Sequence, residues 1–304
     1  MESINICVCT YKRPDLLAKC LESLACMTPL KDAQVSVTVI DNDAEQTARD
    51  LVESIKSAFP FPLYFFHEAK RGIPCARNRA IDETHRLGSS YMVFIDDDEW
   101  VEKDWLKIMY EYCVAQGGKA VISGDVISEL PENTSKDIDF FYQRKNRKTG
   151  TKLNSCATNN VLVPVFVTRD LGLRFDESNP LAGGTDTIFF VEAVSKGVTI
   201  LKCAEALVHE RVPASRTTFR WLAKRKYRAG ITEAWRKRHG GRTTARILVS
   251  SLLSVIIELI KSGVMHLTGN RSAGIKYCLK ACKSAGTFAG VFGLEVDSYK
   301  HIDP

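Results

Sequence analysis

The sequence contains no CxxC pair, no internal repeat, no low-complexity tract, and no charged N-terminal stretch followed by an apolar run and a cleavage site. These absences exclude a cysteine-built metal module, a solenoid and a disordered linker, and they give the expectation of no secretory leader. The ten cysteines are scattered. Cys7 and Cys9 sit two apart on a predicted strand and share a face, as small buried hydrophobes do, which reads as reduced core thiols of a cytosolic chain. Composition is not extreme: 45% hydrophobic and 26% charged residues exclude disorder, collagen and a coiled coil. The formal net charge is only +6, so where the charges stand matters more than their total.

What is present is a chain of 304 residues, long enough to bury a full core as one large domain or one and a half. Ile4–Cys9 is a short apolar run. Pro14 then opens a helical stretch in which Leu16, Leu17, Cys20, Leu21 and Leu24 recur at helical spacing. Val35–Ile40 alternates and is β-branched, and a helix carrying Leu51, Val52 and Ile55 follows. Leu63–Phe66 reads as a third strand, Ala76–Leu87 as a helix and Tyr91–Ile95 as a fourth strand. This alternation predicts an α/β fold, a mainly parallel sheet with right-handed crossovers and flanking helices. Residues 129–155 are polar, contain Lys145, and read as a long loop or lid. A helix from Ile188 to Val194 leads to a last strand, Val198–Lys202.

Polar clusters fall just past three of these strands: Thr10-Tyr11-Lys12-Arg13, Asp41-Asn42-Asp43 and Asp96-Asp97-Asp98. In open α/β sheets, ligands bind beyond the carboxyl ends of strands. Neighbouring carboxylates repel in a partly dry site unless a cation lies between them, and Mg²⁺ or Mn²⁺ bound to a diphosphate meets that need. If strand geometry continued, Asp96 and Asp98 would point to one side and Asp97 to the other; an acidic turn is the plain alternative. Asp41 is either a contact for a nucleobase or ribose, or a helix cap. Arg71-Gly72-Ile73-Pro74-Cys75-Ala76-Arg77-Asn78 places a glycine and guanidinium groups at a helix start, where an anion is well held; taken without the other motifs, a solvated turn followed by an amphipathic helix is the favoured reading. Asp186, after Gly183 and Gly184, is either an N-cap or a general base. His209 is a structural histidine or a third metal ligand.

Together these segments resemble family 2 glycosyltransferases, whose catalytic unit has the GT-A fold. Those that match are Val8-Cys9-Thr10-Tyr11-Lys12-Arg13-Pro14, Val39-Ile40-Asp41-Asn42, Gly72 through Asn78, Phe94-Ile95-Asp96-Asp97-Asp98-Glu99 and Gly183 through Phe190. They cover roughly residues 3–215 in the correct order, and the opening looks most like bacterial exopolysaccharide enzymes of the succinoglycan type. The resemblance implies an inverting, metal-dependent transfer of a sugar from a UDP-sugar. It gives Thr10, Tyr11, Arg13, Asp41, Arg77, Asn78 and Asp96 to the nucleotide pocket, and Asp96, Asp98 and His209 to Mn²⁺ or Mg²⁺. Asp186 becomes the base. The family often has an acid directly before that aspartate; Thr185 stands there in this chain.

The division expected is a nucleotide-sugar transferase domain over 1–215 and a helical C-terminal region over 216–304. Between Arg211 and Arg246 lie Trp221, Tyr227, Trp235 and a dozen basic residues, followed by a dense apolar run from Ile247 to Ile260. Cations and aromatics beside an apolar face suit an anionic membrane surface, and a short run holding Glu258 suits lying on it rather than crossing it. Packing on the catalytic domain or a dimer interface would use the same residues. No nucleic-acid-binding fold accompanies the cations. The expected acceptor is a polyprenyl-diphosphate-linked saccharide, and the expected location is the cytoplasmic side of the membrane, where nucleotide sugars are made. A sugar nucleotidyltransferase and a non-catalytic assembly subunit are the rival readings.

Overall fold

The computed structural model describes residues 1–143, 147–178 and 184–293; Lys145 and Gly183, named above, lie outside them. The predicted alternation is present as β1 (Glu2–Thr10), α1 (Pro14–Ala25), β2 (Ala33–Asp41), α2 (Arg49–Ile55), β3 (Leu63–His67), α3 (Ile73–Arg86) and β4 (Tyr91–Asp96). These four strands pair in parallel in the order β3-β2-β1-β4. Beyond β4 the sheet changes sense. Strands β5 (Glu99–Val101), β6 (Val121–Glu129), β7 (Lys152–Leu153), β8 (Asn160–Pro164) and β9 (Ile200–Arg211) complete nine strands among the described residues. Of these, β8 runs antiparallel between β4 and β6, β9 runs parallel to β6, and β5 and β7 are antiparallel to β9.

Strand alternation sends successive side chains to opposite faces, and both faces are covered. Ile4, Ile6 and Val8 of β1 join Val37, Val39, Val93 and Ile95 on one face. There they meet Leu17, Leu21 and Leu24 of α1 and Trp105 and Met109 of α4 (Trp105–Ala115). Cys7, Ile40, Met92, Phe94, Val161 and Val163 face the other way, onto Ala76, Ala80 and Ile81 of α3 and Phe189 and Phe190 of a later helix (Thr185–Ser195). A three-layer αβα sandwich follows, and truncating one of its buried side chains, such as Ile6→Ala, costs about 2–5 kcal/mol. All ten cysteines are unpaired. Two buried asparagines of the sheet have their partners: Asn5 receives the Thr38 hydroxyl at 2.8 Å and donates to Thr84 at 2.8 Å. Asn160 accepts from the Trp105 indole at 2.9 Å and donates to the carbonyls of Asp125 and Ala206. Gly124 permits that last junction, since a Cβ there would stand 2.2 Å from Asn160 Nδ2.

The polar stretch 129–155 is partly built: it holds α5 (Lys136–Asp139) and β7. After β8 come α6 (Phe166–Arg169) and the helix Thr185–Ser195, here α7. Three long helices close the chain: α8 (Phe219–His239), α9 (Thr244–Leu267) and α10 (Arg271–Gly290). Helices α8 and α10 meet backbone to backbone, because a Cβ on Gly286 would lie 1.9 Å from the Tyr227 carbonyl oxygen. This helical unit is joined to the sandwich through α5, where Ile138 packs with Leu222 and Leu279 and Ser272 donates to Asp137. The Tyr142 hydroxyl also donates to the Arg216 carbonyl at 2.7 Å.

Candidate active site

A cavity of about 220 Å³ opens at the carboxyl ends of β1 and β4, lined by Thr10, Tyr11, Arg13, Arg77, Asp96, Asp97, Thr158 and Arg216 among others. Its position is the one open α/β sheets use for ligands. Strand β4 stops at Asp96 and a turn follows, so the expected alternation of the acidic triplet does not continue. Asp97 is fully buried. It accepts the Thr10 hydroxyl at 2.7 Å and pairs with Nη2 of Arg13, while Nη1 of the same guanidinium reaches Asp98 at 3.0 Å. Arg216 approaches the same Asp98 oxygen at 4.0 Å.

The electrostatics are those of acids crowded into a dry rim. Burial pushes Asp97 up to about 7; Arg13 and the Thr10 hydroxyl oppose it, and Asp98 adds to it. Asp96 is raised to about 6, again by burial first, with Arg77 and Arg13 opposing and Asp98 and Asp186 reinforcing. Burial works against the Arg13 guanidinium too, but its acidic neighbours outweigh that and hold its pKa above the ordinary value. Glu99 lies behind the triplet, accepting from the Asp96 amide at 3.2 Å and from Asn159 at 2.7 Å, and burial raises its pKa well above the usual range.

Five of the residues singled out in the sequence therefore line one cavity: Thr10, Tyr11, Arg13, Arg77 and Asp96. Asp98 joins them through Arg13. Asp186 lies in the first turn of α7 behind Gly184, whose φ of +86° is a left-handed turn that glycine makes without strain. Its charge is near enough to raise Asp96. Three others have different partners. Both oxygens of Asp41 accept backbone amides, of Asp43 and Ala48, each at 2.9 Å, so its carboxylate closes the turn after β2. Asn78 brackets residues 175–177, donating to the Phe175 carbonyl and to Glu177 and accepting the Phe175 amide. The β5–β9 register sets His209 opposite Trp100, where the rings stack and Nε2 lies 3.1 Å from Glu102, not at an acid of the triplet.

Arg216 and Thr158 escaped the sequence reading. Arg216 is one of many cations in a basic run. Thr158 lies in a segment without periodicity, yet its hydroxyl is buried beside the cavity with no hydrogen-bond partner among the described residues. In the sequence Asn42 stands out only as part of a cluster; in the fold it supports the site from behind, donating to the carbonyls of Glu68 and Lys70 and accepting the Gly72 amide at 2.7 Å, which pins the start of α3.

A parallel αβα half-sheet joined to an antiparallel half, with acids at the end of β4, defines a GT-A glycosyltransferase fold. Solved structures share it. TarS residues 1–349 from S. aureus, in complex with UDP-GlcNAc, superposes with a TM-score of 0.56 at 14% identity, over 75% of this chain and 66% of that one. GalNAc-T7 with UDP, GalNAc and Mn²⁺ gives a TM-score of 0.58 at 12% identity, over 77% of this chain and 51% of that one. In sequence, the chain matches the profile described as glycosyl transferase family 2 over residues 5–172. It is 34% identical to the succinoglycan biosynthesis protein ExoM of Rhizobium meliloti (strain 1021), over 97% of this chain and 95% of that protein. The chain belongs to glycosyl transferase family 2.

Proposed function

We propose that this glycosyltransferase moves a sugar from a UDP-sugar onto a saccharide acceptor, with inversion, in bacterial exopolysaccharide synthesis. One observation carries the reading: three guanidinium groups (Arg13, Arg77 and Arg216) and the acids at the end of β4 converge on a single cavity. Cations and acids in alternation suit a diphosphate and its counter-ion. The cavity is smaller than the ~300–1,000 Å³ of sites that enclose a whole ligand, so a nucleotide sugar would extend past its mouth. Support for the donor and the metal comes from the UDP-GlcNAc of TarS and the UDP and Mn²⁺ of GalNAc-T7. ExoM supports the pathway.

The donor set fits a hard divalent cation. Asp96 and Asp98 supply carboxylate oxygens, and no cluster of three or more His, Cys, Asp or Glu ligands exists among the described residues. Mg²⁺ and Mn²⁺ accept such a set, taking the remaining oxygens from diphosphate and water. Bound there, the ion would offset negative charge gathering on the leaving diphosphate. Arg13 and Arg216 both reach Oδ2 of Asp98, and Arg77 offers a further cation to the phosphates. Tyr11, with Arg71 5.4 Å from its ring centre, forms a face of the nucleotide pocket. Asp186 takes the proton of the acceptor hydroxyl as that oxygen bonds to the anomeric carbon, and the diphosphate leaves with the electron pair of the broken bond.

The acceptor is a lipid-linked saccharide, a polyprenyl diphosphate by class, met at the cytoplasmic face of a membrane. The basic and apolar C-terminal helices support this part of the reading. Calorimetric titration of UDP in Mn²⁺ and in EDTA tests the donor site: Mn²⁺-dependent binding that Arg77→Ala weakens is expected. Equal binding of every nucleoside diphosphate, indifferent to Arg77, would refute it.

A further inference from the structure

Helix α9 has its polarity reversed. A helix on a water-soluble protein turns its apolar stripe inward and its polar residues to solvent. Here Val249, Leu253, Ile256, Ile260, Val264 and Leu267 recur at spacings of three and four and are all exposed, 46% at the least and 89% at the most. The inward face packs Ile247 in its first turn and beyond it carries polar groups. Ser251 and Ser262 are buried, Glu258 is mostly covered, and Ser262 donates across to the Gly274 carbonyl of α10 at 2.8 Å. Over its most apolar 18 residues mean hydropathy reaches 1.9, and only 17% of that stretch is buried. So large a contiguous apolar surface marks an interaction site.

Charge identifies the occupant. From residue 216 to 293 the chain carries sixteen Lys and Arg against two acids, Glu233 and Glu258. Exposed Arg242 and Arg246 stand at the start of α9, and exposed Lys261 lies along it. An apolar stripe framed by cations matches a bilayer with anionic headgroups; a like-charged second copy would be repelled. Orientation follows from packing. Helix α10 covers the inner side of α9 and exposes Lys276, Lys280 and Lys283, which a crossing helix would carry into hydrocarbon at high cost.

We infer that α9 is a lipid-immersed helix, lying in the plane of an anionic membrane with its Leu/Ile/Val stripe among the acyl chains and α10 above it. The inference rests on the membrane-surface part of the proposed function and specifies which face enters the lipid and how. Flotation of the purified full-length chain tests it without any donor, so loss of transferase activity and loss of membrane binding are read separately. Wild type should float with vesicles of phosphatidylcholine and phosphatidylglycerol, and far less with phosphatidylcholine alone. Leu253→Gln/Ile256→Gln/Ile260→Gln, which changes only outward positions, should lower the bound fraction roughly tenfold or more while the circular-dichroism spectrum is kept. Tryptophans placed singly at Leu252, Ile260 and Leu267 should be quenched alike, over the wild-type background, by lipids brominated near the headgroup. Three results would each overturn the inference: no flotation of wild type, undiminished flotation of the triple variant, or a wild-type dimer in sedimentation that the triple variant dissociates. Deep quenching at Ile260 with shallow quenching at Leu252 and Leu267 would replace the in-plane helix by a crossing one.

Discussion

The hydroxyl of Thr10 lies 2.7 Å from the carboxylate of Asp97, joining the last residue of β1 to the turn after β4. Because Asp97 is fully buried, the hydroxyl and the Arg13 guanidinium are what its charge has in place of water. Thr10→Val keeps the shape and removes the donor. The expected loss is about 1–3 kcal/mol of stability, read from urea denaturation. UDP affinity should also fall, because Arg13 and Asp98 lose their fixed backing.

The same carboxyl sets a pH dependence. Its folded pKa, about 7, lies above its ordinary value near 3.8 because of burial, so the folded chain keeps this proton where the unfolded chain has lost it. The stability gained from Asp97 is fully present below about pH 4 and is lost as pH rises toward 7. Thermal melts of metal-free protein across that window should show this downward contribution, and Asp97→Asn should flatten it. An unchanged slope in the variant would remove Asp97 as its source.

Arg77 and Asn78 are adjacent in sequence but differ in what they hold. Arg77 lines the cavity, whereas Asn78 spends its amide on residues 175–177. Asn78→Ala should lower stability by about 1–3 kcal/mol with a small change in UDP affinity. Arg77→Ala should do the reverse. Parallel melting and calorimetry on the two variants check the contrast.

Arg216 tests whether the C-terminal region contributes to the site. It lines the cavity and stands 4.0 Å from Asp98, although its position in the sequence places it with the helical region. Arg216→Ala should raise the donor KM and lower kcat, by roughly tenfold or more in kcat/KM if a charge-assisted contact worth about 1.5–3 kcal/mol is removed. Arg216→Lys should restore part of the loss, since charge returns without the planar fork.

Much of this was legible beforehand for a definite physical reason. β1, β2 and β4 are apolar runs that end abruptly in polar clusters, so Thr10, Arg13 and Asp96 announced both the strands and the rim they share. Partners chosen by tertiary packing were less visible. Nothing in the spacing around Asp41, Asn78 or His209 tells whether a side chain faces a ligand or closes a turn, and the structure gives each a protein partner. The antiparallel half of the sheet escaped because Asn160–Pro164 is too short an apolar run to orient a strand. For α9 the sequence offers a membrane surface, packing on the domain or a dimer interface, because periodicity finds the apolar stripe of a helix but not which way it faces.

The central claim is best tested by release of UDP from a panel of UDP-sugars, with membrane extract supplying the acceptor, in Mn²⁺ or EDTA, for wild type and Asp98→Asn. The account predicts release that needs the divalent ion, rises with acceptor, and falls by about 10²–10³ in the variant. Release unaffected by EDTA and by loss of the Asp98 charge would contradict it.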